Sequence, residues 1–295
     1  MPAEATVAPH ARVRAALAIA VIAISFAAIF FREAAPTHPL VIAGARLSIA
    51  SILLAPFVVR AWRRGALPRR TALAAAIAGV LYGVHFGTWV SSLELTSVAS
   101  SVTLVTATPL LLAVIGLASR TDRPTGRHWL ALGLATLGVT LIGWGDLSTS
   151  RDALIGDGLA LAGAAAMAAY LLIVRRLGEP LDVLAFGGVA CAVGALALLV
   201  SGALAGVPLE VARGTLPYIA LAALFPQLVG HSLLTWSLRH ASPTEVGLAT
   251  VGEPVGATIL AWVILDETPA PIVLVGCAAT LAAVVFALTR GAPRS

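Results

Sequence analysis

Residues 97–122 read SVASSVTLVTATPLLLAVIGLASRTD, and residues 242–267 read SPTEVGLATVGEPVGATILAWVILDE. Each stretch is predominantly apolar over the roughly 20 residues that a helix needs to cross a hydrocarbon core of about 30 Å. A constant offset of 145 residues aligns the two stretches. The matched pairs are Ser97 with Ser242, Pro109 with Pro254, and Asp122 with Glu267. The chain is therefore predicted to contain two copies of one membrane-spanning unit.

Further apolar blocks of similar length lie on both sides of these stretches. The 295 residues are 59% hydrophobic and 11% charged, with a mean hydropathy of +0.96. A soluble domain carries about 25% charged residues, so this composition cannot cover a water-facing surface. We predict an all-α integral membrane protein. Its ten transmembrane helices are expected at approximately 13–32, 39–59, 71–93, 97–119, 128–145, 154–174, 183–205, 215–237, 244–265 and 270–289.

The offset pairs the first five predicted helices with the last five. Residues 1–146 and 150–295 are therefore predicted to be two five-helix repeats. Because five is odd, the second copy must enter the membrane from the opposite side, and the repeats are inverted. Inverted repeats are a common construction of secondary transporters, which bind substrate near the midplane where the repeats meet.

The 19 basic residues are all arginines, and their placement predicts the orientation. Fifteen lie in segments on the same side of the membrane as the N-terminus, three (Arg32, Arg151 and Arg213) lie on the other side, and Arg46 lies within a helix. Positively charged loops stay in the cytoplasm. We therefore expect both termini to be cytoplasmic, in the cell (inner or plasma) membrane. Since the arginines occupy short loops, they indicate topology, and no nucleic-acid partner is predicted.

Motifs in both halves resemble a known family. They are Ser237-Leu-Arg-His-Ala-Ser-Pro-Thr-Glu-Val, Gly252-Glu-Pro-Val-Gly-Ala, Trp262, Leu265-Asp-Glu267, Thr108-Pro-Leu-Leu and Arg46 in Gly44-Ala-Arg-Leu. Together they look like the drug/metabolite transporter superfamily, EamA type, over the whole chain. The resemblance implies ten helices in two inverted repeats, cytoplasmic termini and the export of amino acids or other metabolites. The tryptophan that this family often has early in its first and sixth helices is replaced by Ser25-Phe-Ala-Ala and Ala166-Met-Ala-Ala-Tyr170.

The third predicted helix carries Tyr82, His85 and Trp89 on one face, at about 100° per residue. A neighbouring stripe consists of Gly79, Gly83 and Gly87. Glycines at this spacing allow close helix packing, which directs the aromatic and imidazole face toward an internal pathway. The alternative interpretation is ordinary bundle packing, with Trp89 at the outer membrane interface.

The fourth and eighth predicted helices contribute further polar candidates. Gln227, His231 and Thr235 recur at fourfold spacing beside Pro226, a residue that kinks helices. In the fourth helix, Thr108 precedes Pro109. We expect Thr108, Gln227 and His231 to line the pathway. The alternative is that they form hydrogen bonds between packed helices.

Glu253 and Arg46, which carry a charge at neutral pH, lie well inside predicted spans, where a charge costs about 2.5 kcal/mol or more. Glu253 lies near the middle of the ninth helix and aligns with Thr108. Its carboxylate must be protonated, paired with a cation such as Arg46, or in contact with water. Glu253 is accordingly a candidate for substrate ammonium recognition or proton coupling, or else part of a fixed ion pair. Arg46 either lines the pathway or extends outward to the membrane surface.

These features predict a secondary active or facilitative transporter that exports amino acids or related small metabolites by alternating access. Its partners are a small-molecule substrate and the bilayer, its coupling is to protons or to exchange, and it is a monomer or a dimer. The alternatives are an exporter of other small solutes, such as drugs, nucleosides or sugars, and a membrane-embedded enzyme. No His-Glu-x-x-His or Gly-x-Ser-x-Gly motif supports an enzyme, and no cofactor or metal is predicted.

Overall fold

A computed structural model describes residues 10–96, 98–119, 125–144, 150–178, 181–266 and 268–288. Every regular element in these ranges is a helix, which confirms the all-α prediction for them. The helices are α1 (His10–Ser25), α2 (Ala27–Glu33), α3 (Pro39–Arg63), α4 (Arg69–Leu95), α5 (Val98–Val105), α6 (Thr108–Ser119), α7 (Gly126–Gly143), α8 (Arg151–Leu177), α9 (Val183–Leu204), α10 (Leu216–Ala222), a π-helix (Ala223–His231), α11 (Ser232–Ser237), α12 (Pro243–Thr250), α13 (Glu253–Leu265) and α14 (Pro271–Leu288). The aligned residues Ser97, Asp122 and Glu267 lie outside the described ranges.

Eight helical segments among the described residues are long and apolar enough to cross a membrane. Several of them join two consecutive helices, such as α1 with α2 and α12 with α13. The chain is thus a multi-pass membrane protein. The helices α7 and α14 occupy the positions predicted for the fifth and tenth spans. The count of ten spans stays a prediction.

The predicted fourth and ninth spans are interrupted rather than continuous, which corrects the expectation of uninterrupted helices there. The helix α5 ends at Val105, four residues before Pro109, and α12 ends at Thr250, four residues before Pro254. Proline has no N–H to donate to the carbonyl four residues earlier, and its ring clashes with that carbonyl. Both interruptions fall at the same 145-residue offset, so each repeat breaks its fourth helix at the same place.

The predicted eighth span is also irregular around its proline, Pro226. The helix α10 ends at Ala222, four residues before Pro226, and the next nine residues form the π-helix. A π-helical segment widens the backbone turn and often marks a functional site. Pro226 therefore changes the backbone hydrogen-bond pattern of this span beside Gln227 and His231.

The helices pack as two related repeats would. The helix α3 lies against α9, and α7 lies against α14. Each pair joins an element to its counterpart at an offset of about 145 residues, which is the pattern that a twofold relation produces.

Close packing of α4 on α9 depends on the glycine stripe predicted for this purpose. A Cβ atom at Gly79 would lie 2.7 Å from the backbone oxygen of Ala190, and one at Gly83 would lie 3.2 Å from that of Gly194. The prediction of close helix packing along this stripe is confirmed. Since the stripe faces α9, the neighbouring aromatic face of α4 is left to meet α8 and the π-helix.

Candidate functional site

A central cavity of about 50 Å³ lies where α1, α4, α8, the π-helix and the interrupted helices converge. Five of the eight predicted pathway residues line it: His85, Trp89, Thr108, His231 and Glu253. One water needs roughly 10–15 Å³ of such space. The cavity therefore accommodates a few waters, and an amino acid requires the surrounding helices to move apart.

The two helix interruptions supply much of the polar lining. Thr106 and Thr250 lie at the interruptions, and Thr108 and Glu253 begin the helices that follow. The hydroxyl of Thr108 donates to the backbone oxygens of Val105 (3.1 Å) and Ala164 (3.3 Å). Thr108 therefore joins the interruption to α8 while bordering the cavity. The remaining wall is mostly apolar, as at Met167, Leu171 and Leu234.

The Glu253 carboxylate is the only acidic group that lines this cavity among the described residues. The hydroxyl of Ser25 donates to the backbone oxygen of Val21 at 2.8 Å and, more weakly, to that of Glu253 at 3.4 Å, so α1 lies against the start of α13. Within the described ranges, no hydrogen bond or ion pair reaches the carboxylate itself, and none joins it to Arg46. A pairing of Glu253 with Arg46, one of the interpretations open from the sequence, is therefore absent from this conformation.

Two imidazoles border the same cavity. The Nδ1 atom of His85 lies 2.9 Å from the backbone oxygen of Gly163. Because a carbonyl only accepts, this Nδ1 carries the proton and donates. The ring of His231 packs edge-on against Tyr82 and Phe86, with centroids 5.6 and 5.4 Å apart. The imidazoles are therefore fixed by a hydrogen bond in one case and by aromatic contacts in the other.

Trp89 lies in the protein interior, packed against other aromatic side chains. Its side chain is 3% exposed, and its ring stacks on His85 at 5.9 Å and meets Phe31 edge-on at 5.6 Å. Its indole Nε1 has no hydrogen-bond acceptor among the described residues. A buried N–H without an acceptor is costly, so an acceptor on a bound solute would stabilise it.

The other three predicted pathway residues, Arg46, Tyr82 and Gln227, do not line this cavity but pack beside it. Arg46 is fully buried and does not extend to the membrane surface. Its Nη2 donates to Oε1 of Gln227 at 2.8 Å, and its guanidinium lies 4.2 Å from the ring centroid of Phe86. The ring of Tyr82 stacks on that of Tyr170 at 4.2 Å.

Tyr170 has a structural role that was not predicted from the sequence. Its ring covers Tyr82, and its hydroxyl hydrogen-bonds that of Thr235 at 3.2 Å. In the sequence, Tyr170 stands out only as part of a departure from the family pattern. The role of Thr106 and Thr250 was also missed, although the prolines that follow them gave a usable signal.

Comparisons with known proteins bear on both fold and family. The sequence matches the EamA-like transporter family over residues 14–144 and 154–289. Since the match falls in two segments, one in each half of the chain, it confirms two repeats; the limits 1–146 and 150–295 and the inverted orientation stay predictions. A protein of known crystal structure is similar over 94% of this chain and 96% of its own, with a TM-score of 0.76 and 17% identity. This similarity shows the fold alone. A search of curated proteins returned no match.

Proposed function

Because this chain belongs to the EamA-like transporter family, we propose that it exports amino acids or related small metabolites across the cytoplasmic membrane by alternating access. The observation that carries this proposal is the central cavity, with one unpaired carboxylate, two imidazoles and an indole N–H amid apolar walls. Transport of this kind is secondary active or facilitative.

The lining suits the two ends of an amino acid. The carboxylate of Glu253 is free to accept hydrogen bonds from a substrate ammonium group. The indole Nε1 of Trp89, which has no acceptor among the described residues, is a donor for a substrate carboxylate. Charged hydrogen bonds of this type each contribute about 1.5–3 kcal/mol. The apolar wall around Met167 and Leu171 leaves room for an aliphatic or aromatic side chain once the cavity has widened.

Alternating access requires one part of the bundle to rock against another around the substrate. The paired interruptions at Val105–Thr108 and Thr250–Glu253 lie at the cavity and at equivalent places in the two repeats. Discontinuous helices at a midplane site are typical of secondary transporters. We infer that these interruptions are the hinges, because the backbone there lacks the regular ladder that stiffens a helix.

Export against a gradient requires an energy source, and Glu253 is the residue suited to proton coupling. A carboxylate that binds either a proton or a substrate ammonium group, but not both, exchanges one for the other. Proton entry then drives substrate exit. Without this competition the protein would be a facilitator or a substrate exchanger.

The test is solute flux in proteoliposomes with and without an imposed pH gradient. The panel comprises amino acids, nucleosides, sugars and cationic drugs. We expect saturable flux of amino acids that the pH gradient accelerates. In Glu253→Gln, which keeps the shape but removes the charge, the acceleration should be lost and flux should fall by at least tenfold.

The matched control is Glu245→Gln. Glu245 belongs to the same predicted span, and its carboxylate accepts from the backbone N–H of Ser242 at 2.9 Å, outside the cavity. The flux through this variant should equal that of the wild-type protein. Equal transport by Glu253→Gln would contradict the site, and flux confined to sugars, nucleosides or drugs would replace the proposed substrate class.

A further inference from the structure

A second and larger space lies between α1 and the helices α12, α13 and α14. Its volume is about 480 Å³. Thirteen of its fifteen lining residues are apolar or glycine, and the two others are Arg14 and Ser25. It shares no lining residue with the central cavity. Several of the lining residues, such as Ile22 and Ile259, are about half-exposed on the surface of the helical bundle. We therefore call this space the outer cleft.

The outer cleft is apolar along its length and basic at one end. It follows α1 from Arg14 to Ser25, a distance of about 17 Å at a rise of about 1.5 Å per residue, and reaches Phe26 beyond it. One leaflet supplies half of a hydrocarbon core of about 30 Å, so the cleft is as long as one leaflet is deep. The Arg14 side chain is exposed. Within the described ranges no hydrogen bond or ion pair holds it.

The repeat-related cleft in the first half of the chain provides an internal comparison. It is lined by Leu104, Ala107, Leu110, Thr136 and Val139, which align at the 145-residue offset with Ala249, Gly252, Val255, Leu281 and Val284 of the outer cleft. Its volume is only about 130 Å³, four threonines line it, and no arginine does. The size, the apolar lining and the terminal charge are therefore specific to the outer cleft and do not follow from the repeat.

We propose that the outer cleft binds an anionic phospholipid, with one acyl chain along α1 and the headgroup phosphate at Arg14. An apolar channel of leaflet depth matches an acyl chain, and an arginine at its mouth matches a phosphate. The arginine distribution puts this end of α1 on the cytoplasmic side, where anionic lipids attract basic residues with about 1 kcal/mol each.

A lipid bound in the outer cleft would lie against the junction between α1 and α13. Gly252 and Ser25 both line the cleft. Gly252 directly precedes Glu253, and Ser25 donates to the backbone oxygen of Glu253 at 3.4 Å. A chain lying in the cleft therefore contacts both sides of the junction between α1 and α13 and stabilises the present arrangement. This site is independent of the transported substrate and goes beyond the proposed function.

The charge is tested by native mass spectrometry of the full chain, titrated with phosphatidylglycerol or phosphatidylcholine of identical acyl chains. The unchanged protein should bind phosphatidylglycerol more tightly. Arg14→Gln should weaken that binding by about fivefold, the equivalent of one surface arginine, and should leave phosphatidylcholine binding unchanged. The matched control is Arg12→Gln, because Arg12 is also exposed on α1 but does not line the cleft.

A second experiment tests the apolar part of the cleft by filling it with a bulky side chain. Ala18→Trp places an indole in the cleft and should abolish the highest-affinity binding of each lipid. Ala15→Trp, at an exposed position outside the cleft, should not. Monodisperse elution and an unchanged helical circular dichroism spectrum establish folding for each variant. Equal affinity for the two lipids, equal loss in Arg12→Gln, or retained binding in Ala18→Trp would each overturn the proposal.

Discussion

Among single residues, Arg46 has the least usual surroundings. It is fully buried, yet its only hydrogen bond among the described residues goes to the neutral amide of Gln227, and its Nε and Nη1 atoms have no partner there. The rings of Phe86 and Phe31 lie 4.2 and 5.3 Å from its guanidinium carbon and compensate in part through cation–π attraction. A buried charge with few partners contributes little to the stability of the fold. We therefore propose that Arg46 has a role in function rather than in folding.

This explanation predicts an asymmetry between two substitutions. Gln227→Leu removes the one hydrogen-bonded partner of the buried charge and should lower the free energy of unfolding by about 1.5–3 kcal/mol. Adding Arg46→Met removes the charge as well and should restore most of that loss, because an apolar pair replaces a poorly compensated ion. Thermal unfolding in detergent of both single variants and the double variant measures the coupling. Additive losses would show that the two side chains act independently.

At the scale of the helices, glycine and proline determine packing and interruption. Proline positions set where α5, α10 and α12 end. Glycines set how closely the helices approach, as between α7 and α14. A Cβ atom at Gly276 would lie 2.6 Å from the backbone oxygen of Gly138 and 2.8 Å from the backbone nitrogen of Ile142. Backbone atoms cannot move aside as a flexible side chain can, so this contact tolerates only glycine.

Two glycine substitutions on this helix pair should therefore differ in effect. Gly276→Ala forces α7 and α14 apart and should reduce the free energy of unfolding by about 1–3 kcal/mol. Gly133→Ala, on α7, introduces a methyl group with no atom within 4 Å. It should be neutral or stabilising by up to about 1 kcal/mol, because alanine favours a helix more than glycine does. The measurement is the unfolding temperature of each purified variant, and a lower value for Gly133→Ala would contradict the packing argument.

At the scale of the whole molecule, the arrangement consists of two related bundles around one cavity. The contacts that cross between the repeats, such as α3 with α9 and α7 with α14, join equivalent elements. Under the alternating access proposed above, such a twofold relation would allow two packings of similar energy, each open to one side. The arginine bias adds a direction to this arrangement, since it predicts which side faces the cytoplasm.

The predicted orientation is testable by labelling with a membrane-impermeant maleimide. Arg64→Cys should react only after the cells are opened, whereas Arg213→Cys should react in intact cells. Both side chains are exposed in the structure, and the two natural cysteines, Cys191 and Cys277, are buried, so background labelling should be low. The opposite labelling pattern would invert the topology and place both termini outside the cytoplasm. The unchanged protein, carrying only its natural cysteines, is the control.

Much of the fold followed from the sequence because its causes are local. Composition alone excludes a soluble domain, and apolar length locates the spans. The 145-residue offset located the repeat, and Pro109 and Pro254 explain the helix ends at Val105 and Thr250 through a missing hydrogen bond four residues earlier. These properties depend on the chain and its solvent, so they do not require knowledge of which helices become neighbours.

The site was decided only by tertiary packing. Tyr82 and His85 share one face of α4, yet Tyr82 is covered by Tyr170 while His85 borders the cavity. Likewise Arg46 hydrogen-bonds to Gln227 and not to Glu253. Helical periodicity determines which side chains point the same way, but not which distant helix meets them. That depends on the close contacts between α4, α8, α9 and the π-helix, residues far apart in the chain whose packing no single segment specifies.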